Sequence, residues 1–536
     1  MRKEGAKLAF ILILLLAAFL RFYQLGFNPS SLDWDEASLG YNAYHLLKTG
    51  TDEYGERWPL AIRSFGDYKP PMYVYLTIPA VAVFGLNEMA VRLPSALLGV
   101  LTVAVTFFLT QELFGKRNLA FLSMFFLAIS PWHLQFSRVA FEANVGLFFF
   151  VTAVWLFLRG VKDGPFLILS AVSFGLSFYS YHSPRLVAPL LLIGFAWYFR
   201  KQLWQKKKYC LLAFLAGALV VFPLVVLFFS GSGQERFSIV SIFSAPDILT
   251  RSIRQIEHDM TLGFPFGFLI HNRRIIYTFA FIKGCLDHLN FNFLFLRGDG
   301  LGRHQAPDMG MLYLWDFPFL LLGIYWLLKE KGWRAFPLFW WFLVAPVASG
   351  ISASTPHAVR ALLYLPAFQV MTAYGFLGIF RLVSKNGLWQ RGLLIIMAIA
   401  LAVNVSYYLH QYYVHLPINC AQSWLYGYKQ MITVVNHEEK HYDKILVTNF
   451  YDQPYVFFLF YNQLDPYQYK NNGTDYLGFG KYEFRRVDWD EDQSLEDTLI
   501  VGSGAEIPET VQKRLRAQID FPDGEVAFRI IGKEHE

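Results

Sequence analysis

Apolar runs separated by short polar segments occupy most of the first 411 residues of the chain. A membrane-spanning helix needs about 20 mostly apolar residues, and eleven runs approach or reach that length. These runs are residues 8–25, 91–114, 118–135, 144–159, 165–181, 186–200, 209–230, 312–328, 335–351, 361–381 and 392–411. The pattern predicts an α-helical polytopic membrane protein with about eleven transmembrane helices.

One further apolar segment, PPMYVYLTIPAVAVFG at residues 70–85, is short and contains three prolines. Lysine and arginine in short loops are retained on the cytoplasmic side, so the basic loops decide whether this segment crosses. The basic loop residues are Arg2, Lys3, Lys7, Lys116, Arg117, Arg159, Lys162, Arg200 to Lys208, Lys329, Lys331, Arg334, Arg381, Lys385 and Arg391. These basic residues all lie on the same side of the membrane only if residues 70–85 do not span it. We therefore predict a membrane-surface or re-entrant helix at residues 70–85.

This topology gives the chain an outer face that is built from separate segments. They are the first outer loop 26–90, the turns 136–143 and 182–185, the long outer loop 231–311, the turn 357–360 and the chain after residue 411. In that last part, KILVTNF and TLIVGS are typical of strands, while PYVFFLFYN and PETVQKRLRAQ are typical of helices. We predict a transmembrane domain, residues 1–411, and a small extracytoplasmic α/β domain, residues 412–536.

Composition agrees with a membrane protein and excludes other classes. Hydrophobic residues make up 55% of the chain, aromatic residues make up 18%, and the mean hydropathy is +0.33. The net charge of +6 lies in short loops rather than on one face, so no nucleic acid partner is expected. The three cysteines, Cys210, Cys285 and Cys420, are too few and too scattered for a disulfide framework or a CxxC metal site.

The first outer loop contains SLDWDEA, with the three carboxylates Asp33, Asp35 and Glu36. The surrounding sequence predicts a helix that begins after Ser31 or Asp33 as its N-cap and ends at Gly50 as its C-cap. Acids in a first helical turn are also favoured by the helix dipole, which is a purely structural explanation. A cap needs only one carboxylate, however, and partial burial would suit one of the three to act as a general base.

Two further segments of the outer face pair acidic with basic residues. GDYKPP places Asp67 and Lys69 just before the surface helix, where Lys69 either binds a phosphate or extends its charge to the interface. In FSRVAFEAN, Arg138 and Glu142 are four residues apart, a spacing that allows them to pair on one helical face.

The spacing His-x-x-Arg occurs at two other outer turns, with His182 and Arg185 in one and His357 and Arg360 in the other. Each pair could merely anchor a helix end. Including Arg138, three arginines then lie at outer helix ends, against the positive-inside trend. Because arginine forms bidentate contacts with phosphate, this arrangement predicts an anionic ligand in the headgroup region, such as a charged lipid carrier.

The motifs DWDEA, KPP, NEMAVRLPSALLG, SRVAFEAN and PHAVRALLYLP resemble, in order and spacing, the membrane glycosyltransferases of the GT-C superfamily. Within that superfamily the motifs look most like those of the bacterial family 39 type enzymes, relatives of protein O-mannosyltransferases and of the lipid A aminoarabinose transferase. The resemblance covers residues 1 to about 410. It implies a helical membrane fold, and an enzyme that takes a sugar from a polyprenyl-phosphate donor.

The resemblance also implies roles for individual residues. Asp35, with Glu36 beside it, corresponds to the catalytic acid or base, and Lys69 corresponds to the lysine that contacts the donor phosphate. The aminoarabinose branch has a glutamate where this chain has Tyr68, and an aspartate where this chain has Glu142. These departures leave metal binding open: no cofactor is certain, and a divalent metal ion remains an alternative.

Our hypothesis is a hexosyl- or pentosyltransferase of the plasma (inner) membrane that works on its outer face. It would transfer the sugar to a hydroxyl group of a protein, lipid or glycan, with Asp35 as base and inversion at the anomeric carbon. The predicted donor phosphate ligands are Lys69, Arg138, Arg185, His182, His357 and Arg360, with Asp67 and Glu142 as supporting acids. The alternatives are a ligase or polymerase of lipid-linked oligosaccharides, a flippase or other transporter of lipid-linked sugar, and a receptor or assembly scaffold.

Overall fold

The computed structural model of the chain describes residues 3–229, 242–244, 246–379 and 387–533. Several residues used in the topology argument lie outside these ranges: Arg2, Arg381, Lys385, and residues 231–241 and 245 of the long outer loop. The described chain forms a helical bundle, and one end of the bundle carries both the first loop, residues 26–90, and a C-terminal sheet domain. We call this end the site end.

The bundle and its loops contain nearly all of the helical residues. The helices of the first half are α1 (Lys3–Phe22), α2 (Trp34–Thr49), α3 (Met72–Phe84), α4 (Glu88–Phe114), α5 (Arg117–Ile129), α6 (Pro131–Ser137), α7 (Glu142–Lys162), α8 (Phe166–Phe178), α9 (Ser183–Tyr198), α10 (Arg200–Gln205) and α11 (Lys207–Phe229). Those that follow are α12 (Pro246–Thr261), α13 (Gly267–Ile270), α14 (Arg273–Asp287), α15 (Asp316–Trp326), α16 (Phe336–Val344), α17 (Val347–Gly350), α18 (Ala367–Ile379) and α19 (Gly387–His410).

Every predicted span coincides with one or two of these helices, which confirms a helical integral membrane protein. By length and composition, six helices of the described residues can cross a membrane, or seven if α5 and α6, bent by 58° at their junction, form one span. Helices α8 and α9 are apolar but contain only 13 and 16 residues. The number of eleven spans therefore stays a prediction.

The doubtful segment at residues 70–85 forms α3, which has 13 residues. At 1.5 Å per residue this helix is about 20 Å long, less than the hydrocarbon core of about 30 Å. Pro79 lies inside it, and it packs against α2 and α4 at the site end. These features agree with a helix at the membrane surface.

Helix α2 begins and ends where the sequence predicts. Asp33 is its N-cap, and the Oδ1 atom of Asp33 accepts a hydrogen bond from the backbone N–H of Glu36 at 2.8 Å. Gly50 closes the helix with a φ of 72°, a left-handed conformation that glycine adopts without strain. Both predicted caps are confirmed.

A short hairpin lies between α2 and α3. Its strands, β1 (Ile62–Ser64) and β2 (Asp67–Lys69), are joined by Phe65 and Gly66. Both turn residues have positive φ, 54° and 73°, which gives a two-residue turn the twist that a hairpin requires. The hairpin ends at Lys69 and so fixes that residue against the start of α2.

The C-terminal domain combines helices with a six-stranded sheet. Its elements are α20 (Leu416–Asn419), α21 (Tyr428–Glu438), β3 (Lys444–Val447), α22 (Pro454–Tyr461), β4 (Gly478–Phe479), β5 (Tyr482–Phe484), α23 (Trp489–Asp492), β6 (Thr498–Ser503), β7 (Leu515–Asp520) and β8 (Val526–Ile531). The strand order is β4-β5-β3-β6-β8-β7. Strand β3 is parallel to β5 and β6, while β8 is antiparallel to β6 and β7.

The C-terminal part thus has the predicted α/β fold, and three of the four predicted elements are present. The domain boundary between residues 411 and 412 stays a prediction. The helix predicted from PETVQKRLRAQ is wrong, because most of its second half belongs to the edge strand β7. Pairing with β8 satisfies the backbone there, and this tertiary partner outweighs the helical pattern.

The described residues form two large hydrophobic cores, one within the bundle and one at the site end, and a small third core within the C-terminal domain. The second core joins α2, α3 and the start of α4 to α21, α22 and the sheet. The contact is close at Gly40, where a Cβ atom would lie 2.6 Å from the Cγ2 of Val91 and 2.7 Å from the ring of Phe460. The first loop and the C-terminal domain therefore share one core.

Candidate active site

The centre of the site is an ion pair between Asp35, in the first turn of α2, and Lys69, the last residue of β2. The side chain of Lys69 is 8% exposed, whereas that of Asp35 is 40% exposed. The ammonium also lies 4.9 Å from the centroid of the Phe65 ring, a cation–π distance. A buried ammonium thus holds a carboxylate that remains half open.

Asp33 lies beside this pair but is fully buried. Its Oδ2 atom is 3.1 Å from the Nη1 atom of Arg303, and the guanidinium of Arg303 lies 4.4 Å from the centroid of the Trp34 ring. Burial raises the pKa of Asp33 to about 6, against the opposing effect of the Arg303 guanidinium. Arg303 therefore brings the long loop onto the start of α2.

Glu36, predicted as the catalytic partner of Asp35, is buried in an ion pair of its own. The Nε and Nη2 atoms of Arg92 each donate to its carboxylate at 2.9 Å, and the backbone N–H of Ala140 donates at 2.9 Å. Its side chain is 1% exposed. Through these contacts Glu36 connects α2 to α4 and to the turn before α7. Its contacts are therefore those of a residue that holds the fold together.

Arg138, predicted as a phosphate ligand, is also buried. Its guanidinium donates hydrogen bonds to the carbonyl oxygens of Leu20, Tyr23 and Asn28 at 2.7, 2.8 and 3.2 Å, and to the Tyr412 hydroxyl at 3.0 Å. These contacts fasten the end of α1 to the turn after α6. The guanidinium is thus engaged by protein groups.

The predicted pairing of Arg138 and Glu142 on one helical face is wrong. Arg138 follows α6, Glu142 begins α7, and the chain between them is a turn. Glu142 instead occupies a helix N-terminus, where the dipole favours a carboxylate. The other supporting acid, Asp67, begins β2, and its Oδ1 atom accepts the N–H of Tyr68 at 2.7 Å.

The two His-x-x-Arg turns come together at the site end. The Nη1 atom of Arg185 is 3.0 Å from the Nδ1 atom of His182, and the hydroxyl of Ser183 donates to the carbonyl oxygen of Arg360 at 3.0 Å. Met72, the first residue of α3, donates its backbone N–H to the carbonyl oxygen of Tyr179 at 3.1 Å, and it follows Lys69 by three positions. The two turns therefore lie next to the segment that carries Lys69.

A cluster of potential metal ligands is formed by Asp299, His304 and His357, one ligand atom of each lying within 4.8 Å of the others. The Nδ1 atom of His304 is 2.6 Å from the Oδ2 atom of Asp299. Burial opposes ionisation of Asp299, but hydrogen bonds from His304 and from the N–H groups of Ala358 and Leu301 outweigh it and lower its pKa. Asp299 is thus held as a carboxylate.

His357 completes this cluster as a neutral ring. Burial and the nearby Arg360 guanidinium lower its pKa to about 3. Its Nδ1 atom is buried and makes no hydrogen bond within the described part of the chain. Two imidazole rings and a carboxylate are a donor set that suits zinc and similar divalent cations, so these residues fit a metal ion.

The sequence-based prediction did not include Asp299, Arg303 and His304, all in GDGLGRH at residues 298–304. The available signal was an acid, a base and a histidine within a glycine-rich stretch of an outer loop. It also left Arg92 without a role, although an arginine inside an apolar run usually has a buried partner.

Comparisons with known proteins bear on this arrangement. The family model described as "Dolichyl-phosphate-mannose-protein mannosyltransferase" matches residues 68–227. The structure of ArnT from Cupriavidus metallidurans bound to undecaprenyl phosphate superimposes with a TM-score of 0.53 and 13% identity, covering 97% of both chains. The chain has the GT-C fold.

A second GT-C structure gives the same degree of similarity. It is the oligosaccharyltransferase AglB from Archaeoglobus fulgidus in complex with an inhibitory peptide and a dolichol-phosphate. The superposition has a TM-score of 0.53 and 14% sequence identity, and it covers 94% of this chain and 70% of the AglB chain. Among curated sequences, the Bacillus subtilis protein named "Putative mannosyltransferase YkcB" is 26% identical over 179 residues, 32% of this chain. The chain spans only 28% and 23% of the length of the curated relatives that it matches first.

Proposed function

We propose that this GT-C protein transfers a sugar from a lipid-phosphate donor to an acceptor hydroxyl on the outer face of the membrane. The proposal depends mainly on one observation, the pairing of half-open Asp35 with buried Lys69. The fold, the family match at residues 68–227 and the lipid phosphates bound in the ArnT and AglB structures support it.

In the proposed reaction, the acceptor oxygen attacks the anomeric carbon of the donor sugar and Asp35 takes the hydroxyl proton. The bond between that carbon and the phosphate oxygen breaks, and its electron pair stays on the phosphate. Asp33 and Glu36 are buried, each with a side chain 1% exposed, whereas Asp35, although paired with Lys69, is 40% exposed and can meet an acceptor. Asp35 is therefore the proposed base. Because one displacement occurs without a covalent enzyme intermediate, the configuration inverts.

The departing lipid phosphate gains negative charge in the transition state, and Lys69 would stabilise that charge. Arg185 and Arg360 lie at the turns next to the Lys69 segment and would contribute further positive charge, with His182 beside them. Arg138 is held by carbonyl and hydroxyl oxygens, so the proposal gives it no contact with the donor.

We expect Lys69→Gln to lower the rate of transfer by about 10²- to 10³-fold, the usual loss for one preorganised charge contact. The measurement uses the purified chain in detergent with a panel of radiolabelled undecaprenyl-phosphate sugars and a cell-envelope extract as acceptor. Lys429→Gln is the matched control, because Lys429 is exposed and pairs with Glu88. Equal rates for the two variants would contradict the assignment of Lys69.

We also propose that Asp299, His304 and His357 hold a divalent cation that fixes the long loop over the site. The purified chain should bind about one equivalent of Zn²⁺, and Asp299→Asn should weaken that binding at least about tenfold. Metal content and a zinc titration measure both effects. Exposed His437, changed to alanine, is the control, and an Asp299→Asn variant with unchanged zinc affinity would refute the site.

Transfer of a whole oligosaccharide is the second candidate, because AglB is as similar in fold as ArnT. Both reactions need the same base and phosphate contacts. The mass of the product separates them, since a monosaccharide transferase adds one sugar and an oligosaccharide transferase adds many.

A further inference from the structure

One face of α2 is a polar stripe that runs from the ion pair to the C-terminal domain. Asp35, Ser38, Asn42 and His45 recur every three or four residues and therefore lie on the same side of the helix. The last three are buried. A buried polar side chain needs a partner, and each of these has one on a different segment.

The partners follow one another in the same order. Asp35 pairs with Lys69, and the Ser38 hydroxyl lies 2.9 Å from the Ser64 hydroxyl in β1. The amide of Asn42 donates to the carboxylate of Glu53. His45 ends the stripe, with its Nε2 atom 3.3 Å from the carbonyl oxygen of Tyr469 in the C-terminal domain.

Glu53 is the acid of this network, and its side chain is fully buried. Its Oε1 atom accepts a hydrogen bond from the Asn42 amide at 3.1 Å, and its Oε2 atom accepts one from the Asn471 amide at 3.4 Å. The backbone N–H of Asn471 also donates to the carbonyl oxygen of Glu53 at 2.7 Å. The C-terminal domain thus holds both the side chain and the backbone of Glu53.

The network around Glu53 also reaches the hairpin that carries Lys69. The Asn42 amide that donates to Glu53 lies 3.5 Å from the Ser38 hydroxyl, and that hydroxyl contacts Ser64 in β1, the strand paired with β2. Burial raises the pKa of Glu53 to about 7, while the amides of Asn42 and Asn471 and the positive charge of Lys69 oppose the rise and favour the carboxylate. Asn42 and Ser38 therefore connect Glu53 to the strand pair that ends at Lys69. Loss of the Asn471 amide would leave a buried carboxylate short of one donor, which is a costly state.

We propose that Asn471 of the C-terminal domain is a positioning residue for Lys69, and that it acts through Glu53. The C-terminal domain then completes the donor site without touching the donor. This inference rests on the proposed function, because it takes Lys69 to be the group that binds the lipid phosphate.

The test is a double-mutant cycle on the full-length protein, with undecaprenyl phosphate alone as the probe and its dissociation constant as the readout. Asn471→Ala should weaken binding about tenfold, because a small displacement of a binding group is enough for such a loss. Neighbouring Asn472 is exposed, and Asn472→Ala should bind like the parent chain. Glu53→Gln, nearly isosteric but uncharged, should reproduce the effect of Asn471→Ala.

The background variant Lys69→Gln identifies the route of the effect. If Asn471 acts through Lys69, the double variant Asn471→Ala/Lys69→Gln should have the same dissociation constant as Lys69→Gln alone. A general structural defect caused by Asn471→Ala would instead raise the dissociation constant of the double variant further. Either of two results overturns the inference. One is that Asn471→Ala binds undecaprenyl phosphate as tightly as Asn472→Ala does, and the other is that the losses of affinity from Asn471→Ala and Lys69→Gln add fully in the double variant. If Asn471→Ala does not fold, the same two comparisons with Glu53→Gln decide. A parent chain that does not bind undecaprenyl phosphate instead refutes the proposed function.

Discussion

The Asp35→Asn variant should transfer sugar about 10² to 10⁴ times more slowly than the parent chain, because the amide cannot accept the hydroxyl proton. The substitution is nearly isosteric, and Asp35 is 40% exposed, so the variant should fold and reach the membrane. Initial rates with the same labelled donor, measured at equal amounts of purified protein, test this expectation.

Two controls make the Asp35→Asn result specific. Asp523→Asn changes an exposed aspartate in a turn of the C-terminal domain and should keep the parental rate. Binding of undecaprenyl phosphate by Asp35→Asn should remain measurable, since Lys69 is still present. If Asp35→Asn retained the parental rate, another group would have to be the base and the proposed mechanism would fail.

The second large effect is expected on stability. Glu36→Gln should destabilise the protein by about 3 to 5 kcal/mol, because it leaves the fully buried Arg92 guanidinium without its counter-charge. The loss should appear as a large fall in the midpoint of thermal unfolding in detergent, followed by fluorescence of the many tryptophans.

An exposed ion pair supplies the comparison for Glu36. Glu88 pairs with Lys429, whose side chain is 58% exposed, so Glu88→Gln should cost under about 1 kcal/mol. A Glu36→Gln variant as stable as Glu88→Gln, but unable to transfer sugar, would show that Glu36 takes part in the reaction as the sequence analysis predicted.

The sequence predicted the helical membrane class and the features that depend on local chemistry. The caps of α2 at Asp33 and Gly50 are examples, because a cap is decided by a few neighbouring residues. Apolar runs are equally local signals. The GT-C fold was predicted from motif order, and the comparisons agree with it.

Long-range partners could not be read from the sequence. Glu36 and Arg92 are far apart along the chain, and nothing local shows that they neutralise each other inside the protein. The spacing of Arg138 and Glu142 indicated a helical pair, but the chain breaks between them. Strand β7 was mistaken for a helix because its partner β8 decides its conformation.

The shared core at the site end constrains how the protein is made. Helix α2 leaves the ribosome long before α22, yet it packs against α22 in the folded protein, for example at Gly40 and Phe460. Until α22 has been synthesised, the segments that carry Asp35 and Lys69 therefore lack the part of the shared core that α22 supplies. A chain that ended before α22 would leave the apolar residues of α2 that α22 covers exposed to solvent.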